Sequence, residues 1–224
     1  MLKQLLTTTA LVSVGLVAQA DQRNWTGFSV GGETGYVVSR VPNKIEAGNT
    51  WEKRTTFGSE GMSLGLKAGG AYQFSDRFLV GLDLDLSFLN TRYSEKIGAS
   101  NHSFKQNLSY GVSGKLGYVC KNIMAYVRSG VEFGYFRHSA STPANKAQNI
   151  KGVDEKVTHT YPGFVMGLGM EYALNDNFIL GGEFKHTLYK TKQYEGSAQN
   201  KLLTENLEFS PRVSKFLLTA KYKF

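Results

Sequence analysis

Hydrophobic and polar residues alternate along most of this chain, and the clearest example runs from Phe78 to Arg92. Its even positions are apolar as far as Phe88, whereas its odd positions include Asp83 and Asp85. Strict period-two alternation predicts a β-strand whose two faces meet different environments. The same pattern closes the chain, where the even positions from 214 onward are nearly all apolar or aromatic.

Eight segments with this alternation are separated by short and long polar connections in strict alternation. The predicted strands are Trp25–Arg40, Glu60–Phe74, Phe78–Arg92, Phe104–Cys120, Ile123–His138, Thr158–Leu174, Phe178–Lys192 and Phe209–Phe224. The predicted long loops are Val41–Ser59, Tyr93–Ser103, Ser139–Val157 and Gln193–Asn206. Short turns on one side and long loops on the other are typical of an outer-membrane barrel with periplasmic termini. We therefore expect an all-β fold, an eight-stranded antiparallel up-and-down transmembrane β-barrel.

The main alternative is a soluble eight-stranded barrel of the lipocalin type, which would place its large apolar side chains inside. In this sequence the face opposite the apolar one is rich in glycine, serine and charge, and such a face cannot form a soluble core. The apolar face is therefore predicted to contact lipid. Each strand is about 15 residues long, against roughly 9–11 needed for the hydrocarbon layer, so the strands should project beyond it.

The first twenty residues read as a secretory signal peptide. Lys3 supplies the positive charge, Ala10 to Ala18 the apolar segment, and Ala18-Gln19-Ala20 a cleavage site. We expect cleavage after Ala20 and a single barrel domain over residues 21–224, exported to the outer membrane of a Gram-negative bacterium. Cys120 is the only cysteine, so no intramolecular disulfide can form.

The polar face of the predicted barrel carries equal numbers of acids and bases. The acids are Glu33, Asp83, Asp85, Glu132, Glu171 and Glu183, and the bases are Lys67, Lys115, Arg128, Lys185, Lys215 and Lys221. The interior of an eight-stranded barrel is just wide enough for its own side chains. Because buried charges are tolerated only when they are paired, we expect a salt-bridged network that closes the lumen. A proton or ion path is the alternative use of such groups.

Near the long loops, several of the strand positions that are predicted to face outward are basic. They are Arg40, Arg92, Arg137, Lys190, Lys192 and Arg212. Arginine and lysine form charge-assisted hydrogen bonds with phosphate, so these residues are predicted to contact lipopolysaccharide. The formal net charge of +8 suits an anionic outer leaflet. The alternative is a generic solvated rim, because a β-bulge would reverse the facing of any strand.

Candidate chemistry is sparse. His186 faces outward, and the predicted hairpin brings Ser214 near it, which raises the possibility of a lipid hydrolase. No outward carboxylate is placed to orient the histidine, so we predict no catalytic residues and no enzymatic activity. His102, His138 and His159 lack the paired spacing of a metal or haem site, so no metal or cofactor is predicted. No motif supports nucleic-acid binding.

The segments Trp25-Thr26-Gly27-Phe28, Val30-Gly31-Gly32 and Leu218–Phe224 resemble the small surface-antigen barrels of Gram-negative bacteria. The nearest resemblance is to the alphaproteobacterial major outer-membrane protein and hemin-binding group, within the broader opacity and OmpA-type class. It implies a structural and surface-interaction role in envelope integrity or adhesion, with host or envelope proteins as partners of the four loops. The alternative it implies is hemin or small-solute binding with porin-like uptake.

The last strand also resembles the assembly signal of bacterial outer-membrane barrels. Its apolar face ends in Tyr222 and a terminal Phe224. This resemblance implies the barrel-assembly machinery as a further partner.

Overall fold

The computed structural model describes residues 23–47, 50–97, 100–142, 153–190, 192–194, 207–209 and 211–224. Side chains are described over residues 23–40, 58–91, 105–137, 158–190 and 211–224. The predicted signal peptide lies outside these ranges.

Ten β-strands make up the regular structure of the described residues. They are β1 (Gly27–Ala47), β2 (Thr50–Gln73), β3 (Phe78–Ile97), β4 (Ser100–Cys120), β5 (Ile123–Thr142), β6 (Val153–Ala173), β7 (Phe178–Tyr189), β8 (Lys192–Tyr194), β9 (Leu207–Phe209) and β10 (Arg212–Lys223). The strands β1 to β7 pair antiparallel in chain order, and β10 pairs with both β7 and β1. This last pairing, from Ser29 opposite Lys223 to Arg40 opposite Arg212, closes the barrel.

The two shortest strands, β8 and β9, extend β7 and β10 at one end of the barrel and do not add further strands to its wall. Beyond Arg40, β1 pairs with β9, so that Asn43 lies opposite Phe209, and β8 pairs with β9. Pro211, which has no backbone N–H to donate to a ladder, lies between β9 and β10. The closed eight-stranded antiparallel fold predicted from the sequence is confirmed.

The predicted boundaries were wrong at all four loops, by two residues at Gln193–Asn206, where β8 continues to Tyr194, and by more at the other three. Strands β1 and β2 pair as far as Ala47 opposite Thr50, inside the predicted loop Val41–Ser59. Strands β3 and β4 pair as far as Ile97 opposite Ser100, and β5 and β6 as far as Thr142 opposite Val153. The ladders continue in these segments although the period-two pattern is lost, because such a pattern arises only where the two faces of a strand meet different environments. We call this end of the barrel the hairpin end.

The opposite end, which we call the turn end, carries three short connections, the start of β1 and the end of β10. In the turn from β6 to β7, the Asn175 side-chain oxygen accepts hydrogen bonds from the backbone N–H groups of Asn177 and Phe178, at 3.0 and 2.8 Å. Lys121, in the turn from β4 to β5, adopts a positive φ of 54°. Such local side-chain and backbone conformations make tight turns possible.

The two faces of the wall are separated as the sequence predicts. Leu82 and Leu168 point outward and are 56% and 60% exposed, whereas Asp83, Lys115 and Glu171 are buried inside. An outward aromatic belt surrounds the turn end and consists of Phe28, Tyr72, Phe74, Phe78, Tyr118, Tyr172, Phe178, Tyr222 and Phe224. No helix among the described residues has the length and hydropathy to cross a membrane.

Candidate functional site

The centre of the lumen is occupied by a cluster of three acids and three bases. Its members are Glu33, Asp85, Glu183, Lys67, Arg128 and Lys185, all buried. The Lys67 ammonium lies 2.6 Å from Glu183 and 3.5 Å from both Glu33 and Asp85. Arg128 bonds Glu183 at 2.7 Å and also bonds Asp85, and Lys185 lies 3.3 Å from Glu33. The cluster is neutral in sum, which limits the cost of burying six charges.

Three further ion pairs lie outside the central cluster. Lys115 binds Asp83 at 3.2 Å, Lys221 binds Glu171 at 2.6 Å, and Lys215 binds Glu132 at 3.0 Å. The structure therefore brings each of the twelve charged residues predicted for the lumen next to a residue of opposite charge.

Neutral side chains donate further hydrogen bonds to the carboxylates of this network. Tyr126 donates its hydroxyl to Glu183 at 2.7 Å, and Ser87 donates to Glu33 at 2.7 Å. Tyr189 donates to Glu132 at 2.5 Å and accepts a hydrogen bond from Gln106. A buried charge network is stable only when such additional hydrogen bonds are made.

Two apolar layers enclose the charges, and the sequence analysis missed both. The layer at the turn end is formed by Trp25, Leu79, Val119, Met124, Tyr126, Ala173 and Ile179. The layer at the hairpin end is formed by Val37, Leu89, Phe136, Tyr161, Tyr189 and Val213. In the second layer Phe136 packs edge-on against Tyr161 and Tyr189, at centroid distances of 5.4 and 5.1 Å. The sequence does contain the pattern that predicts these layers, because their residues are apolar and lie at inward positions near the strand ends.

Four of the six predicted rim residues have described side chains. Arg40, Arg137, Lys190 and Arg212 are exposed at the hairpin end, whereas the side chains of Arg92 and Lys192 lie outside the described residues. Arg40 lies directly opposite Arg212 in the β1–β10 ladder.

Sequence reasoning missed one rim residue, Lys105. It lies opposite Arg137 in the β4–β5 ladder and therefore shares the outer face with it. A register shift between Gln106 and Leu108 reverses the facing of β4 at this point. Alternation continued from Leu108 and Tyr110 would place Lys105 in the interior, because a β-bulge cannot be seen in a period-two pattern.

His186 and Ser214 do meet on the outer wall, with 2.9 Å between the histidine Nδ1 and the serine Oγ. Across β10 and β1, Ser214 lies opposite Val38, which lies opposite Glu60. Two strand spacings separate Glu60 from Ser214, roughly 10 Å, so this carboxylate does not orient His186. Glu60 instead accepts a hydrogen bond from the Tyr36 hydroxyl.

Of the three remaining histidines, His159 has a described side chain. The side chains of His102 and His138 lie outside the described residues, and the His159 ring lies 6.4 Å from the Tyr161 ring. Within the part of the chain that the structure describes, no group of three His, Cys, Asp or Glu could hold a metal ion.

A comparison with known protein families agrees with a closed barrel whose apolar side chains face outward, and the match covers nearly the whole chain. The model of the outer membrane protein beta-barrel domain matches residues 7–224. The chain belongs to this outer-membrane β-barrel family. The apolar wall of the barrel therefore contacts lipid, the turn end faces the periplasm and the hairpin end faces the outside of the cell.

One named protein and two solved structures are similar to this outer-membrane barrel. The 31 kDa outer-membrane immunogenic protein of Brucella melitensis is 26% identical over 185 residues, which cover 78% of this chain and 75% of that protein. The structure of OprG from Pseudomonas aeruginosa superposes with a TM-score of 0.52 at 13% identity, covering 91% of this chain and 100% of OprG. Ail from Yersinia pestis gives a TM-score of 0.45 at 16% identity, covering 89% and 99%. The barrel is located in the Gram-negative outer membrane.

Polar side chains on the wall mark the outer limit of the membrane-spanning zone of this outer-membrane barrel. Glu60, His186 and Ser214 face outward at one level of the ladder. On β10, nine residues separate this level from the periplasmic aromatic belt, counting from Ser214 to Tyr222. That number matches the roughly 9–11 residues that a tilted strand needs to cross the hydrocarbon layer.

Proposed function

We propose that this barrel is a non-enzymatic structural and surface-interaction protein of the outer membrane, with a closed lumen and its working surface on the extracellular hairpins. The observation that carries this proposal is the filling of the lumen by a neutral charge network between two apolar layers. Such a barrel stabilises the envelope without passing solutes.

The filled lumen argues against porin-like uptake. The cavity at the periplasmic end, lined in part by Trp25, Lys115 and Glu171, has a volume of only about 10 Å³. This is about the smallest space that holds one water molecule. A solute would have to separate ion pairs that are 2.6 to 3.5 Å long, each break costing several kcal/mol.

The hairpins offer the surface for partners. The β1–β2 ribbon continues from the rim at Arg40 to Ala47, and the β5–β6 ribbon to Thr142. Segments beyond the membrane are free to vary and commonly carry binding functions. The Brucella relative is described as immunogenic, which supports exposure of the corresponding region here.

The rim supplies a second proposed contact, with lipopolysaccharide. The residues concerned are Arg40, Arg92, Arg137, Lys190, Lys192 and Arg212. Four of them project from the outer wall just beyond the polar level of Glu60 and Ser214, where lipid phosphates lie. Phosphate oxygens accept charge-assisted hydrogen bonds from such side chains.

Planar-bilayer recording on the refolded full barrel tests the closed lumen. We expect no stepwise conductance at any voltage that the bilayer withstands, and a stable open channel would overturn the proposal. Titration with hemin tests the binding alternative, because a Soret shift that saturates at one hemin per barrel would favour it. Lipid A mass analysis of cells carrying His186→Ala tests the hydrolase alternative, and we expect no change from the native protein.

The surface role is tested in a deletion strain complemented with the native barrel or with a barrel whose β1–β2 ribbon is shortened. We expect the shortened barrel to restore detergent resistance and to lose binding to host-cell or envelope proteins. Full retention of binding would contradict a role for this ribbon.

A further inference from the structure

The outer wall over β5, β6, β7 and β10 contains a groove of about 570 Å³. Gly182 forms its floor, where a Cβ atom would meet no other atom within 4 Å. Its walls are apolar side chains of β6, β7 and β10, namely Leu168, Met170, Phe184, Phe216 and Leu218. The groove lies in the membrane-spanning zone, so it is filled by lipid chains.

Between the groove and the extracellular end of the barrel, the outer faces of β7 and β10 become polar. On β7 the outward residues after Gly182 are Phe184, His186, Leu188 and Lys190, and on β10 they end in Ser214 and Arg212. The hydrogen bond between His186 and Ser214 occupies the level between the groove and the basic rim. From the membrane centre outward the wall thus presents an apolar groove, a polar pair and cations. A membrane lipid presents its acyl chain, its polar linkage and its phosphate in the same order.

Two cations at the extracellular edge of this wall, Arg40 and Arg212, repel each other unless an anion lies between them. Arg40 and Arg212 lie directly opposite each other on neighbouring strands, and like charges in that position repel. Among the described residues, neither makes an ion pair or side-chain hydrogen bond. An anion between the two guanidinium groups would replace this repulsion by charge-assisted hydrogen bonds.

We propose that these features form one binding site for a single phosphorylated glycolipid of the outer leaflet, the lipid A part of lipopolysaccharide. A lipid A phosphate lies between Arg40 and Arg212 within reach of Lys190, and one acyl chain lies in the groove over Gly182. His186 and Ser214 hydrogen-bond the linkage between sugar and chain. The site deepens the proposed contact of the rim with lipopolysaccharide and rests on it.

The dimensions of the site suit one lipid molecule. Arg212 lies opposite Leu188, six residues along β7 from Gly182, a distance of about 20 Å at 3.3 Å per residue. Because barrel strands tilt by roughly 35–45°, this distance along the strand is a depth of about 14–16 Å. Half of the hydrocarbon layer is about 15 Å thick, so a lipid chain that enters at the rim reaches the groove. A second copy of the barrel fits less well, because it would bring its own Arg40 and Arg212 against the same cations.

The experiment measures lipid retention by the full barrel in phosphatidylcholine nanodiscs that contain a small fraction of bisphosphorylated lipid A, with native mass spectrometry as the readout. Because hydrogen bonds to charged groups are worth about 1.5–3 kcal/mol, Arg40→Gln/Arg212→Gln should lower the retained lipid A about tenfold or more. The charge-matched control is Arg77→Gln/Lys121→Gln at the periplasmic turns, and it should retain as much lipid A as the native barrel.

The groove is tested separately by Gly182→Leu, whose side chain extends into it from an open Cβ position. The matched control is Gly114→Leu, since Gly114 also faces outward and its Cβ would have free space. We expect Gly182→Leu to lower retention severalfold and Gly114→Leu to leave it unchanged. The native barrel should retain dephosphorylated lipid A only weakly. The level should equal that of intact lipid A on the Arg40→Gln/Arg212→Gln variant. Free inorganic phosphate should not compete at millimolar concentration.

Three results would overturn the site. The first is an equal loss in the comparison variant Lys105→Gln/Arg137→Gln, since it would indicate a generic basic rim. The second is equal retention of dephosphorylated lipid A, and the third is a barrel dimer that the groove variant abolishes. The folding of every variant is checked by heat-modifiable mobility, the difference in gel migration between unboiled and boiled samples. Failure of this site leaves the bilayer conductance unchanged, so it is distinguishable from failure of the closed-lumen proposal.

Discussion

Lys67 shows at the scale of one residue why the lumen charges act as a set. Its ammonium is within 3.5 Å of three carboxylates, those of Glu33, Asp85 and Glu183. The bond to Glu183 crosses the barrel between strands that are not neighbours, β2 and β7. A single cation thus joins opposite parts of the wall.

Replacing Lys67 by Met should therefore destabilise the barrel by about 3–5 kcal/mol, the usual cost of leaving a buried charge without its partner. Urea unfolding of the lipid-embedded barrel measures this change. Lys190→Met, at the exposed rim, is the control and should alter the unfolding free energy by less than about 0.5 kcal/mol. Equal effects of the two substitutions would show that the network contributes little.

Glycine at the closing seam has a steric role. A Cβ atom at Gly35 would collide with the backbone carbonyl of Phe216 on β10. Gly35→Ala should therefore cost about 1–3 kcal/mol, as overpacking usually does. Gly182→Ala is the matched control, because its Cβ would meet no atom, and it should be neutral in the same urea titration. A neutral Gly35→Ala would mean that the seam relaxes freely.

At the scale of the element, the hairpin ribbons decide how far the barrel extends from the membrane. The strands β1 and β2 contain 21 and 24 residues, about twice the number needed to cross the hydrocarbon layer. Their outer parts lie beyond the membrane-spanning zone, so we expect them to contribute little to the stability of the membrane-spanning wall.

Replacing residues 44–53 by a two-residue turn should change the unfolding free energy by less than about 1 kcal/mol, since the entropy of loop closure depends weakly on length. Heat-modified migration and urea titration measure the outcome. The comparison is Phe136→Ala in the apolar layer below the hairpins, which should cost about 3–5 kcal/mol through cavity formation. A large loss on trimming would show that the ribbons stabilise the wall.

At the scale of the whole molecule, the barrel is complete only when its first and last long strands meet. The last strand presents Tyr222 and Phe224 outward at the periplasmic end, where Tyr222 packs edge-on against Phe178. We propose that Phe224 acts in recognition by the barrel-assembly machinery rather than in stability, because its side chain is 71% exposed on the lipid-facing wall.

Phe224→Ala should accordingly slow assembly in cells while leaving the stability of the refolded barrel unchanged within about 0.5 kcal/mol. Pulse-chase labelling with heat-modified migration follows assembly. Phe28→Ala is the matched control, since Phe28 is 76% exposed in the same belt on the neighbouring first strand. Equal delays in the two variants would contradict a special role of the terminal residue.

The sequence by itself determined the wall of this protein. Period-two alternation, as in Phe78–Phe88, fixed which side chains face lipid, because a strand in a barrel wall has two faces with opposite solvents. The same parity placed Asp83, Glu132 and Lys215 inside. The alternation of short and long connections then determined the number of strands and the side of the membrane for each turn.

Only the tertiary structure decided which charges meet and where the lumen is closed. The contact between Lys67 and Glu183 spans 116 residues, and parity cannot choose among the six acids facing the same space. The apolar layer around Phe136 combines residues from the ends of several strands, and the bulge at Gln106 turns Lys105 outward. Alternation is a local property of one strand, whereas pairing, layering and register depend on how all the strands close around a common axis.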